Sequence, residues 1–104
     1  PLAVTTTFRA PSLPNVPTMA EAGVPGFDIS TWYAFFGPAK MDPKVVDKLN
    51  QAFVKAIKSK PMAERFDKMG AVEKAGTPAQ LNDFVKAELV KYKEIVKTSG
   101  AKVD

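Results

Sequence analysis

The residues best suited to bind a small molecule are Ser30, Thr31 and Trp32, which follow one another in the most aromatic part of the chain. They offer two hydroxyls, an indole N–H and backbone N–H groups, with Asp28 as the one charged neighbour. Such groups hold small polar ligands without a metal or a nucleophile. Two other interpretations stay open, because a lone tryptophan in an apolar strand can belong to the core and the hydroxyls can satisfy local backbone groups.

The composition excludes several classes of chemistry within this chain. There is no cysteine and no histidine, which rules out cysteine nucleophiles, Cys/His zinc sites, disulfides and a Ser–His dyad. Glu21 and Asp28 could form a catalytic carboxylate pair by residue type, but Glu21 already belongs to a helix-capping pattern. We therefore expect no catalytic residue, no metal site and no cofactor.

The net charge is +4 at pH 7, and 13 of the 15 basic residues are lysines scattered along the chain. Nucleic-acid-binding proteins instead cluster basic residues on one stripe and interleave arginine or exposed aromatic residues. The lysines therefore indicate a solvated surface and no nucleic-acid partner, with docking to a membrane transporter as the alternative. No run of about 18 apolar residues is present. The chain opens at Pro1 directly in a strand-like stretch, which suggests processing or truncation.

Two strands are predicted before the first long helix. Residues 2–6 are rich in β-branched residues and contain no turn signal. The second strand lies in residues 27–39, FDISTWYAFFGPA, between two Gly/Pro pairs. From Trp32 to Phe36 the residues that would point to either face are all apolar, which is typical of a strand covered on both faces. Residues 71–74 suggest a short edge strand.

Two helices are predicted from capping signals in the first half of the chain. Thr18 and Glu21 form a T-x-x-E capping box, and Gly23 stands where a helix of about one turn would end. Asp42, followed by proline, begins an amphipathic helix that runs to about Ser59. Its large apolar residues recur every four positions, as on one face of a helix.

Two further helices are predicted in the second half. The shorter one starts at Pro61 and ends before Gly70. The longer one follows a T-x-x-Q capping box at Thr77 and ends before Gly100, which leaves residues 101–104 as a tail. The predicted apolar stripe of the longer helix consists of Leu81, Phe84, Val85, Leu89, Tyr92, Ile95 and Val96. Its predicted outer face carries Lys86, Glu88, Lys91, Lys93 and Glu94.

These elements predict an α/β unit with few strands packed by amphipathic helices. A strand that is apolar on both faces needs neighbours at both edges and cover on both sides, and residues 2–6 alone cannot supply them. We infer that residues 1–104 form a single structural unit completed by missing sequence or by a second copy. Strand or domain swapping into a homo-oligomer is one such arrangement.

Several short motifs follow one another in a fixed order along the chain. They are LPNVPT at 13–18, EAG at 21–23, PGF at 25–27, Trp32, and GPA at 37–39. With them, the whole chain resembles the C-terminal part of the tripartite tricarboxylate transporter substrate-binding proteins, the Bug family of bacterial periplasmic solute receptors. Asn15 replaces the aspartate usual in that family, and residues 33–36 are bulkier than its common glycine-containing version. Neither departure disturbs the resemblance.

The resemblance implies a longer periplasmic protein with two α/β domains and the type II, Venus-flytrap periplasmic-binding-protein fold, of which this chain is the C-terminal segment. Such a receptor is not an enzyme. It binds a small carboxylate and delivers it to membrane transporter subunits. Backbone N–H groups and hydroxyls hold the carboxylate near helix N-termini, partly through water.

Within the resemblance, Ser30, Thr31 and Trp32 lie near the ligand cleft, whereas the main carboxylate-binding loops of the family fall outside this chain. The expected site is therefore incomplete in one copy. The alternative from a different class is a self-associating structural fragment that binds no small molecule.

Overall fold

Three helices follow 42 residues without helix or strand in the computed structural model, which describes residues 1–101. They are α1 (Pro43–Ile57), α2 (Lys60–Met69) and α3 (Pro78–Ser99). All three were predicted, and their observed ends lie within two residues of the expected ones. The tail predicted at residues 101–104 lies, from 102 onwards, outside the described residues.

Local side chains fix the helix ends. The Asp42 carboxylate accepts a hydrogen bond from the backbone N–H of Lys44 at 2.8 Å, which caps α1. At the start of α3, the Thr77 hydroxyl accepts from the N–H of Gln80 at 3.2 Å, and the Gln80 side chain accepts from the N–H of Thr77 at 2.8 Å. Gly70 ends α2 with φ of 64°, a left-handed conformation that favours glycine. The caps of α1 and α3 satisfy N–H groups that the first turn of a helix leaves without partners.

The capping box at Thr18 and Glu21 is confirmed, and it begins the single turn that was expected, in which the N–H of Ala22 donates to the carbonyl of Thr18 at 3.0 Å. The N–H of Glu21 donates to the Thr18 hydroxyl at 3.1 Å, and the N–H of Thr18 donates to the Glu21 carboxylate at 2.8 Å. Residues 19–23 form consecutive turns, closed by Gly23 with φ of 103°. A single helical turn fixes several residues for one hydrogen bond, and here the chain does not continue the helix beyond it.

The predicted strands are wrong for this chain, because none of residues 1–101 belongs to a ladder. Val4 and Thr18 form an isolated parallel bridge. On the other side, the N–H of Ile29 donates to the carbonyl of Thr5 at 3.0 Å. The first predicted strand therefore lies between two neighbours, as a sheet would require, but each pairing stops after one or two bonds.

The same correction applies to residues 27–39 and to residues 71–74, which also have no strand assignment. A strand is defined by its partner, and within residues 1–101 no further extended segment runs beside them. The described residues therefore form helices and irregular segments joined by isolated backbone hydrogen bonds, and not the α/β unit that was predicted.

The aromatic segment, defined as residues 27–39, packs against both α1 and α3. Phe35 stacks on Phe53 of α1, with ring centroids 4.5 Å apart and planes 11° from parallel. Trp32 meets Phe84 of α3 edge to face, at 5.2 Å and 77°. Both arrangements are favourable for aromatic pairs, so this segment links two helices that are far apart in the sequence.

No apolar side chain among the described residues is fully buried. The expectation of an aromatic segment covered on both faces is wrong here, since Tyr33 is 93% exposed and Phe36 is 68% exposed. The accessible surface is 8815 Å², whereas a folded monomer of this mass exposes roughly 5,700 Å². The radius of gyration is 16.7 Å, against about 13 Å for a compact domain of this length. The apolar faces of this chain therefore lack cover.

Candidate functional site

Trp32 is held against α3 by a hydrogen bond to a buried carboxylate. Its indole Nε1–H donates to Glu88 Oε2 at 3.1 Å, and its ring packs on Phe84 one turn earlier in the helix. Glu88 is only 8% exposed. Because the indole N–H already has a protein partner, Trp32 offers a ligand its ring and not its hydrogen-bond donor.

Lys91 holds the other end of the same short segment. Its Nζ donates to the backbone carbonyl of Asp28 at 3.1 Å, lies 3.9 Å from the Asp28 carboxylate and forms an ion pair with Glu88. The hydrogen bond to Glu88, joined by attraction to Glu88 and Asp28, raises the pKa of Lys91 above its ordinary value of 10.5, against the opposing effect of burial. Lys91 is therefore a permanently charged contact at neutral pH.

Ser30 and Thr31 lie between these two anchoring points. Their hydroxyls take part in none of the hydrogen bonds formed among residues 1–101. Exposure alternates along this stretch: Ser30 and Trp32 are half-buried, whereas Thr31 and Tyr33 are exposed. Alternation of this kind places successive side chains on opposite faces of an extended chain. The structure thus groups Ser30 with Trp32 on the face toward α3 and leaves Thr31 on the open face, and their role in ligand binding stays a prediction.

Sequence reasoning placed Glu88 and Lys91 on the outer face of α3, and this prediction is wrong. Both face the aromatic segment, whereas Leu89, assigned to the apolar stripe, is 67% exposed. A signal was available, because Glu88 lies four residues after Phe84 and seven after Leu81, on the face that these two residues define. Glu88 was assigned to the outer face because it is charged, although its spacing places it on the inner face.

Glu21 has a structural role in the N-terminal part of the chain, where it contacts Arg9 and Thr18. The guanidinium of Arg9 donates to its carboxylate at 2.9 Å and also to the carbonyl of Pro14 at 3.2 Å. The hydrogen bond from Arg9, followed by that from the Thr18 N–H, lowers the pKa of Glu21 below its ordinary value of 4.5. Glu21 is paired with Arg9, whereas Asp28 lies near Lys91, so the two carboxylates have different basic neighbours.

The two depressions described on this surface lie away from residues 28–32. They are shallow and have volumes of about 330 and 600 Å³, one between residues 11–12 and the end of α2 and one between α1 and the start of α3. Neither is lined by residues 28–32. Among residues 1–101, no group of three acidic, cysteine or histidine side chains is placed to hold a metal ion. None of the helices in this part of the chain is long and apolar enough to cross a membrane.

The described chain matches one protein family over its whole length. The TctC family, whose description is tripartite tricarboxylate transporter family receptor, matches residues 1–101. The chain belongs to this family. The resemblance drawn from the motifs at residues 13–39 is thereby confirmed.

Two relatives show how much of a TctC-family protein this chain represents. Protein BugT of Bordetella pertussis is 37% identical over 102 residues, which are 98% of this chain and 31% of BugT. A UPF0065 protein from the tcbD-tcbE intergenic region of Pseudomonas sp. strain P51 is 38% identical over 96 residues, 91% of this chain and 29% of the relative. The chain spans about a third of the length of these relatives.

Two solved structures share the fold of the TctC chain. Rpa4515 of R. palustris with adipate superposes with a TM-score of 0.81 at 34% identity, over 96% of this chain and 33% of that one. The periplasmic binding protein BugD gives a TM-score of 0.81 at 31% identity, over 96% of this chain and 34% of BugD. The chain therefore has the fold of about one third of a periplasmic binding protein.

Proposed function

We propose that this chain is the C-terminal segment of a periplasmic receptor that binds a small carboxylate and delivers it to a tripartite tricarboxylate-type transporter. The observation that carries the proposal is the family match over residues 1–101, together with the likeness to a relative solved with adipate. Binding and delivery require no bond making, so we infer that the chain has no enzymatic activity. Adipate is carried over only as a representative small dicarboxylate.

The proposed contribution of this chain is a ligand-contacting segment at the edge of the cleft, with Ser30 and Trp32 on the face toward α3 and Thr31 on the open face. The two hydroxyls have no partner among residues 1–101 and can donate to carboxylate oxygens. The Trp32 ring, whose N–H is already bonded to Glu88, offers apolar surface to the methylene part of a ligand. Polar groups that fix orientation beside apolar contact area are the usual composition of a small-molecule site.

The uncovered surface supports the proposal that further protein completes the receptor. The chain exposes about 3,000 Å² more than a compact monomer of its mass, an area in the range of obligate interfaces. Its relatives are about three times as long. We infer that the remainder of a type II, Venus-flytrap receptor covers the exposed faces of the aromatic segment and α3 and supplies the rest of the cleft.

Isothermal titration of the 104-residue chain tests the proposal. Adipate should bind saturably but weakly, with a Kd of about 1 mM, which corresponds to roughly 4 kcal/mol of binding free energy. Hexane-1,6-diol has the same carbon chain without charge, and hexane-1,6-diamine carries the opposite charge. Neither should bind. An absence of adipate binding would contradict a ligand-contacting segment that works in this chain alone, and equal binding of the diol would contradict recognition of the carboxylates.

The second candidate function is a self-associating fragment without a small-molecule ligand. It is favoured by the exposure of Tyr33, Phe35 and Phe36 beside unpaired backbone, since exposed strand-like segments promote association between chains. Light scattering over a range of concentrations distinguishes the two. A mass that rises with concentration, combined with no response to adipate, would favour this alternative over the receptor.

The proposed location is the periplasm, and the proposed membrane partner is the transporter of the parent system. The proposed docking surface for this transporter is formed by the scattered lysines of the helices. We expect neither a nucleic-acid partner nor a cofactor for this function.

A further inference from the structure

We propose that Glu88 and Lys91 of α3 are positioning residues that clamp residues 28–32 at both ends and so fix where Ser30 and Thr31 present their hydroxyls. The consequence for ligand binding rests on the proposed function. The clamp itself is a property of the chain without ligand, so the two are tested separately.

The first contact of the clamp is the bond between Trp32 and Glu88. The indole N–H and the Glu88 carboxylate lie 3.1 Å apart, and the side chain of Glu88 is 10% exposed. A hydrogen bond to a charged, desolvated acceptor is among the stronger bonds in proteins. Phe84 packs against the same indole ring from the preceding turn, so Trp32 has both its polar and its apolar parts fixed by α3.

The second contact is the bond between Lys91 and the backbone of Asp28. Lys91 Nζ reaches the Asp28 carbonyl at 3.1 Å while forming an ion pair with Glu88. Because Glu88 and Lys91 are three residues apart on the helix, their side chains are neighbours on one face. The ion pair therefore joins the two contacts into a single unit, and it keeps Glu88 from being a buried charge without a partner.

The rest of the chain does little to hold this stretch. Within residues 1–101, the backbone of residues 28–32 makes one backbone–backbone hydrogen bond, from Ile29 N–H to the Thr5 carbonyl. No β-ladder fixes the register. The clamp is thus the set of contacts that flanks Ser30 and Thr31 on both sides. Protein groups that are held in place by packing and hydrogen bonds bind a ligand more tightly than groups that are free to move.

Backbone amide resonances of the ligand-free chain test the clamp. Glu88→Leu should shift and broaden the resonances of Ser30 and Thr31, because Trp32 loses its acceptor. Glu88→Gln keeps one carbonyl oxygen that can accept from the indole but gives up the ion pair with Lys91, so it should shift these resonances less than Glu88→Leu does. The matched control is Glu94→Leu, which removes an exposed carboxylate from the same helix and should leave both resonances unchanged.

Lys91→Met tests the second contact with the aliphatic stem retained. It should move the resonances of residues 28–30 more than that of the Trp32 indole, whereas Lys93→Met, an exposed control, should move neither. Because Glu88→Leu removes the ion-pair partner of half-buried Lys91 and can prevent folding, Lys91→Met and Glu88→Gln keep the test decisive. Unchanged resonances of Ser30 and Thr31 in folded Lys91→Met or Glu88→Leu chains would overturn the clamp.

Adipate titration of the same variants tests the consequence for binding. Glu88→Leu and Lys91→Met should weaken adipate binding about five- to tenfold, from the cost of ordering a freed segment, and Glu88→Gln should weaken it less than Glu88→Leu. Full affinity in Glu88→Leu would overturn the positioning role. If the wild-type chain does not bind adipate, the proposed ligand contacts fail in this chain alone, and the ligand-free resonances still decide whether the clamp exists.

Discussion

The indole N–H of Trp32 donates to the carboxylate of Glu88 across 3.1 Å, although the two residues lie 56 positions apart in the chain. This bond fastens the aromatic segment to α3 at a point where no sheet holds it. It also gives a reason for a buried acid on the inner face of an otherwise amphipathic helix, since an acceptor for the indole is needed there.

Replacing Trp32 by phenylalanine should destabilise the chain by about 1–2 kcal/mol. The aromatic contact with Phe84 is largely kept, but the buried Glu88 carboxylate loses a donor. Urea unfolding followed by helical circular dichroism measures the change. Tyr33→Phe, at a side chain that is 93% exposed, is the control and should stay within about 0.5 kcal/mol of wild type. Equal effects of the two substitutions would argue against the Trp32–Glu88 bond.

The capping box of α3 gives a second prediction. Thr77→Ala removes the hydroxyl that accepts from the Gln80 N–H and should cost about 1 kcal/mol in the same urea experiment. Thr98→Ala places the same exchange inside the last turn of α3, where alanine has the higher helix propensity. That control should be neutral or slightly stabilising. A loss at Thr98 as large as that at Thr77 would show that capping is not the cause.

The stacked pair of Phe35 and Phe53 gives a third. Phe35→Leu keeps an apolar side chain but removes the ring contact with α1, and it should cost about 0.5–1.5 kcal/mol. Phe36 is exposed to a similar degree and forms no ring pair among residues 1–101. Phe36→Leu should therefore leave the urea midpoint close to that of wild type, and a reversed order would contradict the packing described for α1.

The lowered pKa of Glu21 predicts a pH dependence of stability. Because the folded chain favours the ionised carboxylate, chiefly through the Arg9 hydrogen bond, the stabilisation is present above the ordinary pKa of 4.5 and is lost as pH falls through the lower folded value. Thermal unfolding of wild type and Glu21→Gln should therefore differ at pH 7 and converge below pH 4.5. Glu73→Gln is a control that leaves the Arg9 pair intact. A difference between wild type and Glu21→Gln that persists or grows toward pH 3 would have the wrong sign.

The helices were predictable because their signals are local. Asp42, Thr77 and the glycines at 70 and 100 satisfy helix ends within a few residues of themselves, whatever the remainder of the protein does. The strands were not, because a strand requires a partner. Residues 27–39 have the apolar pattern of a covered strand, but within this chain the backbone finds one hydrogen bond to Thr5. The pattern describes an environment that residues 1–101 do not contain.

The candidate site was predictable only in part. Ser30, Thr31 and Trp32 were identifiable from their types and from the family resemblance, but their anchors were not. Glu88 and Lys91 are charged residues in a lysine-rich helix, and their role depends on the approach of a segment about 60 residues earlier in the chain. The spacing of Glu88 from Phe84 favoured the inner face of α3, whereas its charge favoured the outer face. In the structure Glu88 lies on the inner face, as the spacing indicates.

The most direct test of the account is a residue-resolved map of adipate binding to the 104-residue chain. We expect the saturable shifts in the ¹H–¹⁵N spectrum to be largest at residues 30–32, including the Trp32 indole, and to be reduced in the Ser30→Ala/Thr31→Val double variant. Shifts centred on the lysines of α1 and α2, or shifts of equal size in the double variant, would contradict the assignment of this segment as the one that contacts the carboxylate.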